Sequence, residues 1–195
     1  MQSPQASKTY VAFCDGDGTW NGQDFLNKGW FTVDIPVKDE WGKEMNDAHT
    51  DLKFITSVIL PPTTTATEQG GDNDTMKNKM EGRKVSIVLA RPHTGKWHQI
   101  RQHLASGTIG HAILGDSSHG RTRTNRIWRK KRNMQKERTC LHLARLQLPA
   151  TKHTPDGIDV TCPLPKDLQM MLNCMPESFV RESRELLSQE GINIY

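Results

Sequence analysis

Cysteine is scarce and scattered: Cys14, Cys140, Cys162 and Cys174 form no C-x-x-C pair. That spacing argues against a zinc ribbon or a disulfide framework, and the four are expected to be thiols in a reducing, intracellular compartment. No apolar run approaches the roughly 18–20 residues of a bilayer span, so no membrane segment is expected. The opening "MQSPQASKTY" has neither an apolar signal core nor an amphipathic arginine pattern, and no targeting segment is visible. Apolar residues are thin throughout: 34%, or about 42% with the 15 glycines, against roughly 45–50% in typical globular chains. At 195 residues this supports one medium domain, provided some segments stay outside the core.

Signatures of several chemistries are missing as well. Neither G-x-x-x-x-G-K-[ST] nor G-x-G-x-x-G occurs, which removes the common phosphate-cradling loops. There is no G-x-S-x-G elbow, so a triad drawn from Ser117, His119 and Asp116 would be an accident of one polar loop. "HQIRQH" has glutamine where H-E-x-x-H has its base. It also spaces the histidines five apart with an arginine between them, and no metal is expected.

What the chain does have is a lopsided charge. Between Arg91 and Arg145 thirteen Lys/Arg face only Asp116 and Glu137, an excess of +11, leaving −7 for the remainder of a chain whose total is +4. Six of the eight histidines fall in the same stretch. A basic centre in an otherwise acidic chain is the electrostatic footprint of a polyanion binder, although a solvated basic face would give the same count.

Periodicity supplies the elements. "KTYVAFCDG" alternates as a strand, with Tyr10, Ala12 and Cys14 on one side and Val11 and Phe13 on the other. "FTVDIPVKDEWGK" reads as an irregular or edge strand because Pro36 removes a donor. Thr50–Leu60, "RKVSIVLARP" and "CLHLARLQLPA" read as further strands, the last with Ala144, Leu146 and Leu148 on one face. Residues 61–82, almost without apolar side chains, are expected to form a mobile polar surface insertion.

Thr94 is a plausible N-cap for a helix in "KWHQIRQHLAS", where Trp97, Ile100, Leu104 and Ala105 would share the buried face and Arg101 would border it. "RTRTNRIWRKKRNMQKERT" is a basic excursion with one aromatic, and two short helices close the chain. Strands outnumber helices and do not alternate with them. The expected class is therefore α+β, a mixed or antiparallel sheet with short flanking helices around a cleft. Residues 1–175 would form the domain and 176–195 a helical tail.

Arg101 is the informative residue. A guanidinium at the edge of a buried face is costly to desolvate unless an anion meets it. On spacing alone, a salt bridge that fastens the helix accounts for it best. Tyr10, one of two tyrosines, is either half-packed core or a ring that stacks on a base.

Resemblance adds what spacing does not. "RPHTGKWHQIRQHLASGTIGHAILGDSSHG" resembles the central block of the RluA-type pseudouridine synthases, T-G-R-x-H-Q-[IL]-R-x-H-L followed by G-H-P-I-x-G-D. Lys96 stands for the usual arginine and Ala112 for the usual proline. "KTYVAFCDG" is similar to the K-x-Y-x-A strand, "VDIPVKDEWGKEMNDAHTDLKF" to the D-x-P…D-A-x-T segment, and "CLHLARLQL" and "CPLPKDLQMML" to the closing segments. "GDSSHGRTRTNR" is especially similar to the TruC branch, which acts on transfer RNA.

The resemblance implies an enzyme that turns uridine in RNA into pseudouridine with no cofactor or metal, detaching the uracil and rejoining it through C5. It implies that Tyr10 is the active-site ring and Arg101 the partner of a reactive aspartate. Lys96, His98, Arg121, Arg123, Arg126, Arg129 and Lys130 would contact RNA, whether transfer or ribosomal. A monomer would be expected for the complete enzyme.

In that family the aspartate belongs to an H-R-L-D-R stretch well ahead of the tyrosine strand, and no such stretch occurs here. The chain is thus expected to hold the second half of a catalytic domain and to be inactive alone, with a non-catalytic RNA-binding descendant as the alternative. A basic adaptor of unrelated ancestry would instead keep Arg101 and Tyr10 apart.

Overall fold

A computed structural model describes residues 6–26, 28–60, 83–132 and 134–194. The polar insertion expected at 61–82 lies outside them. The class is α+β. Six strands share one sheet: β1 (Ser7–Asp15), β4 (Phe31–Val33), β7 (Thr50–Ile59), β8 (Lys84–Pro92), β9 (Leu141–Leu148) and β10 (Ile158–Thr161). Their order across it is β10-β9-β1-β8-β7-β4, and every pairing among them is antiparallel. Two small hairpins, Thr19–Trp20 with Gln23–Asp24 (β2 and β3) and Val37–Lys38 with Glu44–Met45 (β5 and β6), lie outside the sheet. The helices among the described residues are α1 (Gln99–Ala105), α2 (Thr122–Lys131), α3 (Lys166–Asn173) and α4 (Glu177–Gln189). None is long and apolar enough to cross a membrane.

The central strands are covered on both faces, so the alternation expected along β8 is hidden: Val85 through Ala90 are all buried. Register assigns the faces. Val11, Leu89 and Lys53 are paired across three strands, and on that side Lys53 meets Glu190 at 2.6 Å while Thr56 donates to Glu182 at 2.8 Å. This is the face that α4 covers. Its spacing buries Phe179, Val180 and Leu187 on one stripe with Ser183 between them, and the three apolar side chains with Ile192 and Ile194 join the common core. The other face carries Tyr10, Ala90 and Leu52 in register.

Three sequence expectations change. "RTRTNRIWRKKR" is largely the helix α2, with Thr124, Asn125, Ile127 and Trp128 buried and Arg123, Arg126, Lys130 and Lys131 exposed. Trp128 is completely buried; with only two large apolar side chains on the inner face, composition conceals the amphipathic pattern. The helix start is not capped by Thr94: the N-cap is His98, in a left-handed conformation with φ 50°. The turn at His98 puts Trp97 out of helical phase, so it stays 41% exposed and does not join Ile100 and Leu104 in the core.

The alternation in β9 is interrupted too. Thr9 pairs with Arg145 but Tyr10 with Leu143, leaving Ala144 as an extra residue. Such bulges redirect side chains near functional sites, and this one sits beside Tyr10.

Among the described residues the sheet ends in an uncovered strand. All of β10 is exposed, and Val160 at 54% and Ile158 at 39% present apolar side chains at the sheet edge. Val160→Lys is expected to change unfolding free energy by no more than about 0.5 kcal/mol while suppressing concentration-dependent association. Light scattering across a dilution series checks this; unchanged association would show that the edge is not its source.

Candidate active site

Loop chemistry at one end of the sheet builds the site. Gln99, buried at the start of α1, accepts from Thr94 Oγ1 at 2.8 Å and from the Lys96 N–H at 3.0 Å. Its Nε2 donates to the His49 carbonyl and to Thr50 Oγ1, both at 2.8 Å. One amide therefore fastens the turn 93–98 to β7. Two residues on, Arg101 leaves α1 and meets Asp116.

The pairing is bidentate: Nε donates to Oδ2 at 2.7 Å and Nη2 to Oδ1 at 2.6 Å. Asp116 Oδ1 also accepts the N–H groups of Ser118 and His119, each at 2.9 Å. Burial would raise the Asp116 pKa, but the Arg101 hydrogen bond and the two backbone donors outweigh it and bring it down to about 2. The arginine thus has a carboxylate within this chain, the salt bridge that its spacing favoured, and that carboxylate is not the aspartate of an H-R-L-D-R stretch.

The loop carrying Asp116 is fixed by glycines and by Asn125. Gly115 has φ +79°, and a Cβ there would sit 1.7 Å from the Arg138 carbonyl oxygen. At Gly120 a Cβ would lie 2.2 Å from the Asp116 carbonyl oxygen. Asn125, from α2, accepts the Gly115 N–H and donates to the Asp116 carbonyl, both at 2.8 Å. Side chains larger than hydrogen would displace the very loop that holds the carboxylate.

A cleft of about 400 Å³ opens against Arg101, lined also by Lys8, Tyr10, Pro92, Lys96 and His98 among others. The structure therefore brings together Tyr10, Lys96, His98 and Arg101. It does not bring Arg121, Arg123, Arg126, Arg129 or Lys130 into that lining. Arg121 is engaged elsewhere, paired with buried Asp15 at 3.1 Å. Lys96 reaches the well-exposed Asp47 at 2.7 Å, a contact open to competition by other anions.

The histidines divide by role. His111 lies within hydrogen-bond distance of the Ile109 carbonyl through Nδ1 and accepts the Gly18 N–H through Nε2 at 2.9 Å, and His103 contacts the Ile35 carbonyl at 2.8 Å. Burial lowers the pKa of both, so they are neutral structural groups. His98 and His119 meet at 3.3 Å beside the cleft. Desolvation lowers the pKa of each; the Arg101 charge adds to it, and the Asp116 charge opposes it, more strongly at His119. No triad forms from Ser117, His119 and Asp116, because Asp116 is taken by Arg101 and two amides while the His119 ring turns to His98. Among the described residues no group of three or more His, Cys, Asp or Glu is placed to hold a metal ion.

Sequence reasoning misses the roles of Gln99, Asp116 and Asn125. The G-D pair marks the Asp116 position, but nothing local ties it to Arg101, 15 residues away.

A sheet with helices on its face and a cleft lined by an ion-paired arginine and a tyrosine is the setting in which comparison with known proteins becomes informative. The family model described as RNA pseudouridylate synthase matches residues 1–106. The chain belongs to that family. Among curated relatives, tRNA pseudouridine synthase C of Vibrio cholerae is 27% identical over 134 residues, covering 62% of this chain and 48% of the relative. The protein of the same name from Yersinia pestis is 46% identical over 48 residues, 25% of this chain and 18% of its own length. Ribosomal large subunit pseudouridine synthase D of Zymomonas mobilis is 30% identical over 95 residues, 48% of this chain and 28% of the relative. The chain thus spans less than half the length of these relatives. The solved structure of human RNA Pseudouridylate Synthase Domain Containing 1 shares the fold, with a TM-score of 0.53 at 20% identity, over 88% of this chain and 59% of that one.

Asp116→Asn is expected to cost about 3 kcal/mol at neutral pH, since it leaves a part-buried guanidinium without its charge partner. The Asp116 carboxyl has a folded pKa of about 2 and an ordinary value of about 3.9 when unfolded. Its contribution is therefore present above the unfolded value and lost as pH falls toward the folded one. Urea unfolding of both proteins from pH 7 downward should show the gap closing as pH approaches 2. A gap independent of pH would refute the ionic origin.

Proposed function

We propose that this chain forms the Arg101–Tyr10 wall of an RNA pseudouridine synthase active site, with transfer RNA as the first substrate class to try. The observation that carries the proposal is the shared cleft: Tyr10 and Arg101 line one cavity, where an unrelated basic adaptor would have had no reason to bring them together. The cleft suits a flipped nucleotide. Tyr10 offers a face for the uracil, and Lys8 and Lys96 offer cations for its phosphates. The names of the curated relatives, most of them tRNA pseudouridine synthase C, support the choice of transfer RNA. No cofactor or metal is needed for the isomerisation.

Asp116 does not fill the role of the reactive acid. It is 1% exposed, and Arg101 and two amides occupy its oxygens. Its place is behind the arginine. The pairing uses Nε and Nη2 of Arg101, leaving Nη1 for a second carboxylate or a substrate oxygen. The reactive aspartate of the family pattern has no counterpart ahead of Tyr10, so residues 1–195 alone are inactive in this proposal and an upstream-extended chain carrying H-R-L-D-R is active.

Pseudouridine formation on total RNA by the two chains tests this. Turnover by the 195-residue chain refutes the missing-acid half of the proposal, and no turnover by the extended chain refutes the synthase reading. In the extended chain, Arg101→Lys should lower the rate roughly 100-fold, because an ammonium cannot span Asp116 and a second acceptor in one plane.

The outer face of α2 gives a separate RNA-binding surface. Arg123, Arg126 and Lys130 are exposed there. Neutralising all three should weaken RNA binding and reduce the slope of log affinity against log salt by about 0.7 for each phosphate that is no longer neutralised. An unchanged slope in a salt titration would remove α2 from the interface.

A further inference from the structure

Trp97 occupies an unusual position. It is 41% exposed, although an indole gains much by burial, and its chain neighbours Lys96 and His98 both line the cleft. The ring is not loose on the surface. It packs on the His98 imidazole with centroids 3.7 Å apart and planes 32° apart, and His119 meets it edge-on at 5.8 Å. His98 and His119 are themselves edge-to-face at 5.3 Å.

The backbone beneath is pinned. The Trp97 carbonyl accepts from Gln102 Nε2 at 2.8 Å, and the Lys96 N–H and carbonyl are both tied to Gln99, at 3.0 and 3.2 Å. His98 holds φ 50° and ψ 23°, a left-handed conformation that an L residue adopts only where its surroundings impose it. Residue and backbone together present a rigid aromatic surface at the rim of a cationic cleft.

The chemistry of the surroundings selects the ligand. The rings that meet Trp97 are two imidazoles, and the adjoining cleft is lined by the cations Lys8, Lys96 and Arg101. Both imidazoles are held toward the neutral form, chiefly by desolvation, so the platform itself adds no charge. A flat neutral ring system next to cations is the combination that binds a stacked base and its phosphate.

We propose that Trp97, backed by His98 and His119, is a stacking platform for an unpaired RNA base adjacent to the nucleotide that enters the cleft beside Tyr10. This rests on the RNA reading above and adds a second base contact outside the cleft. It makes unpaired flanking sequence part of what the protein selects.

The test measures fluorescence anisotropy of a labelled single-stranded oligouridylate and of an equally long strand with abasic positions, at one ionic strength. Wild-type chain, Trp97→Ala and Trp97→Phe are compared. Trp97→Ala should weaken the intact strand roughly tenfold and leave the abasic strand unchanged, while Trp97→Phe retains most of the affinity. Indole emission quenched by the intact strand in wild type should be largely undisturbed in Trp97→Phe. Equal weakening of both strands by Trp97→Ala, or of neither, overturns the platform while leaving the RNA reading in place. Failure of the wild-type chain to bind either strand overturns both.

Discussion

The contact between Arg101 and Asp116 organises this end of the molecule. Removing a carboxylate and a guanidinium from water costs several kcal/mol per ion, about enough to cancel their attraction unless further hydrogen bonds complete the arrangement. Here they do. Two bonds run between the ions and two more come from the amides of Ser118 and His119. Asn125 then ties the same loop to α2. A single ion pair therefore locks the helix bearing Arg101, the glycine-bounded loop and the basic helix into one body. It also sets the plane of the guanidinium, which decides the direction in which its remaining donors point.

The sheet keeps the structural and chemical tasks on opposite faces. On one, α4 packs its apolar stripe and anchors through Lys53–Glu190 and Thr56–Glu182. On the other, Tyr10 emerges beside the Ala144 bulge into the cleft. Because β1 and β8 are buried on both sides, their backbone is rigid, and a ring carried on β1 is held without needing partners of its own. The cleft is thus placed by strands that are buried on both faces.

How much is legible depends on whether the determinants are contiguous. The strands around Tyr10 and in "RKVSIVLARP", and the helix bearing Arg101, follow from short-range pattern, and the resemblance of "HTGKWHQIRQHL" to a synthase block is itself a contiguous signal. Trp97 is misplaced when a 3.6-residue period is extended through His98, whose left-handed backbone breaks the phase. The α2 helix is obscured because arginines and lysines outnumber Ile127 and Trp128, although those two supply the buried side. Arg101 reads correctly as needing an anion, while the identity of that anion depends on a loop geometry enforced by Gly115, Gly120 and Asn125.

Sequence alone determined the α+β class, the positive centre, the absence of metal-binding and phosphate-loop motifs, and the pairing of a K-x-Y strand with an H-Q-I-R helix. These are properties of local spacing and composition, which a linear string carries. Tertiary structure alone decided that Asp116 and not another acid faces Arg101, that Tyr10 and Arg101 share one cleft, and that Trp97 stands outside it against two histidines. Those facts depend on where a turn closes and which side chains a glycine admits, and such distances exist only once the chain has folded.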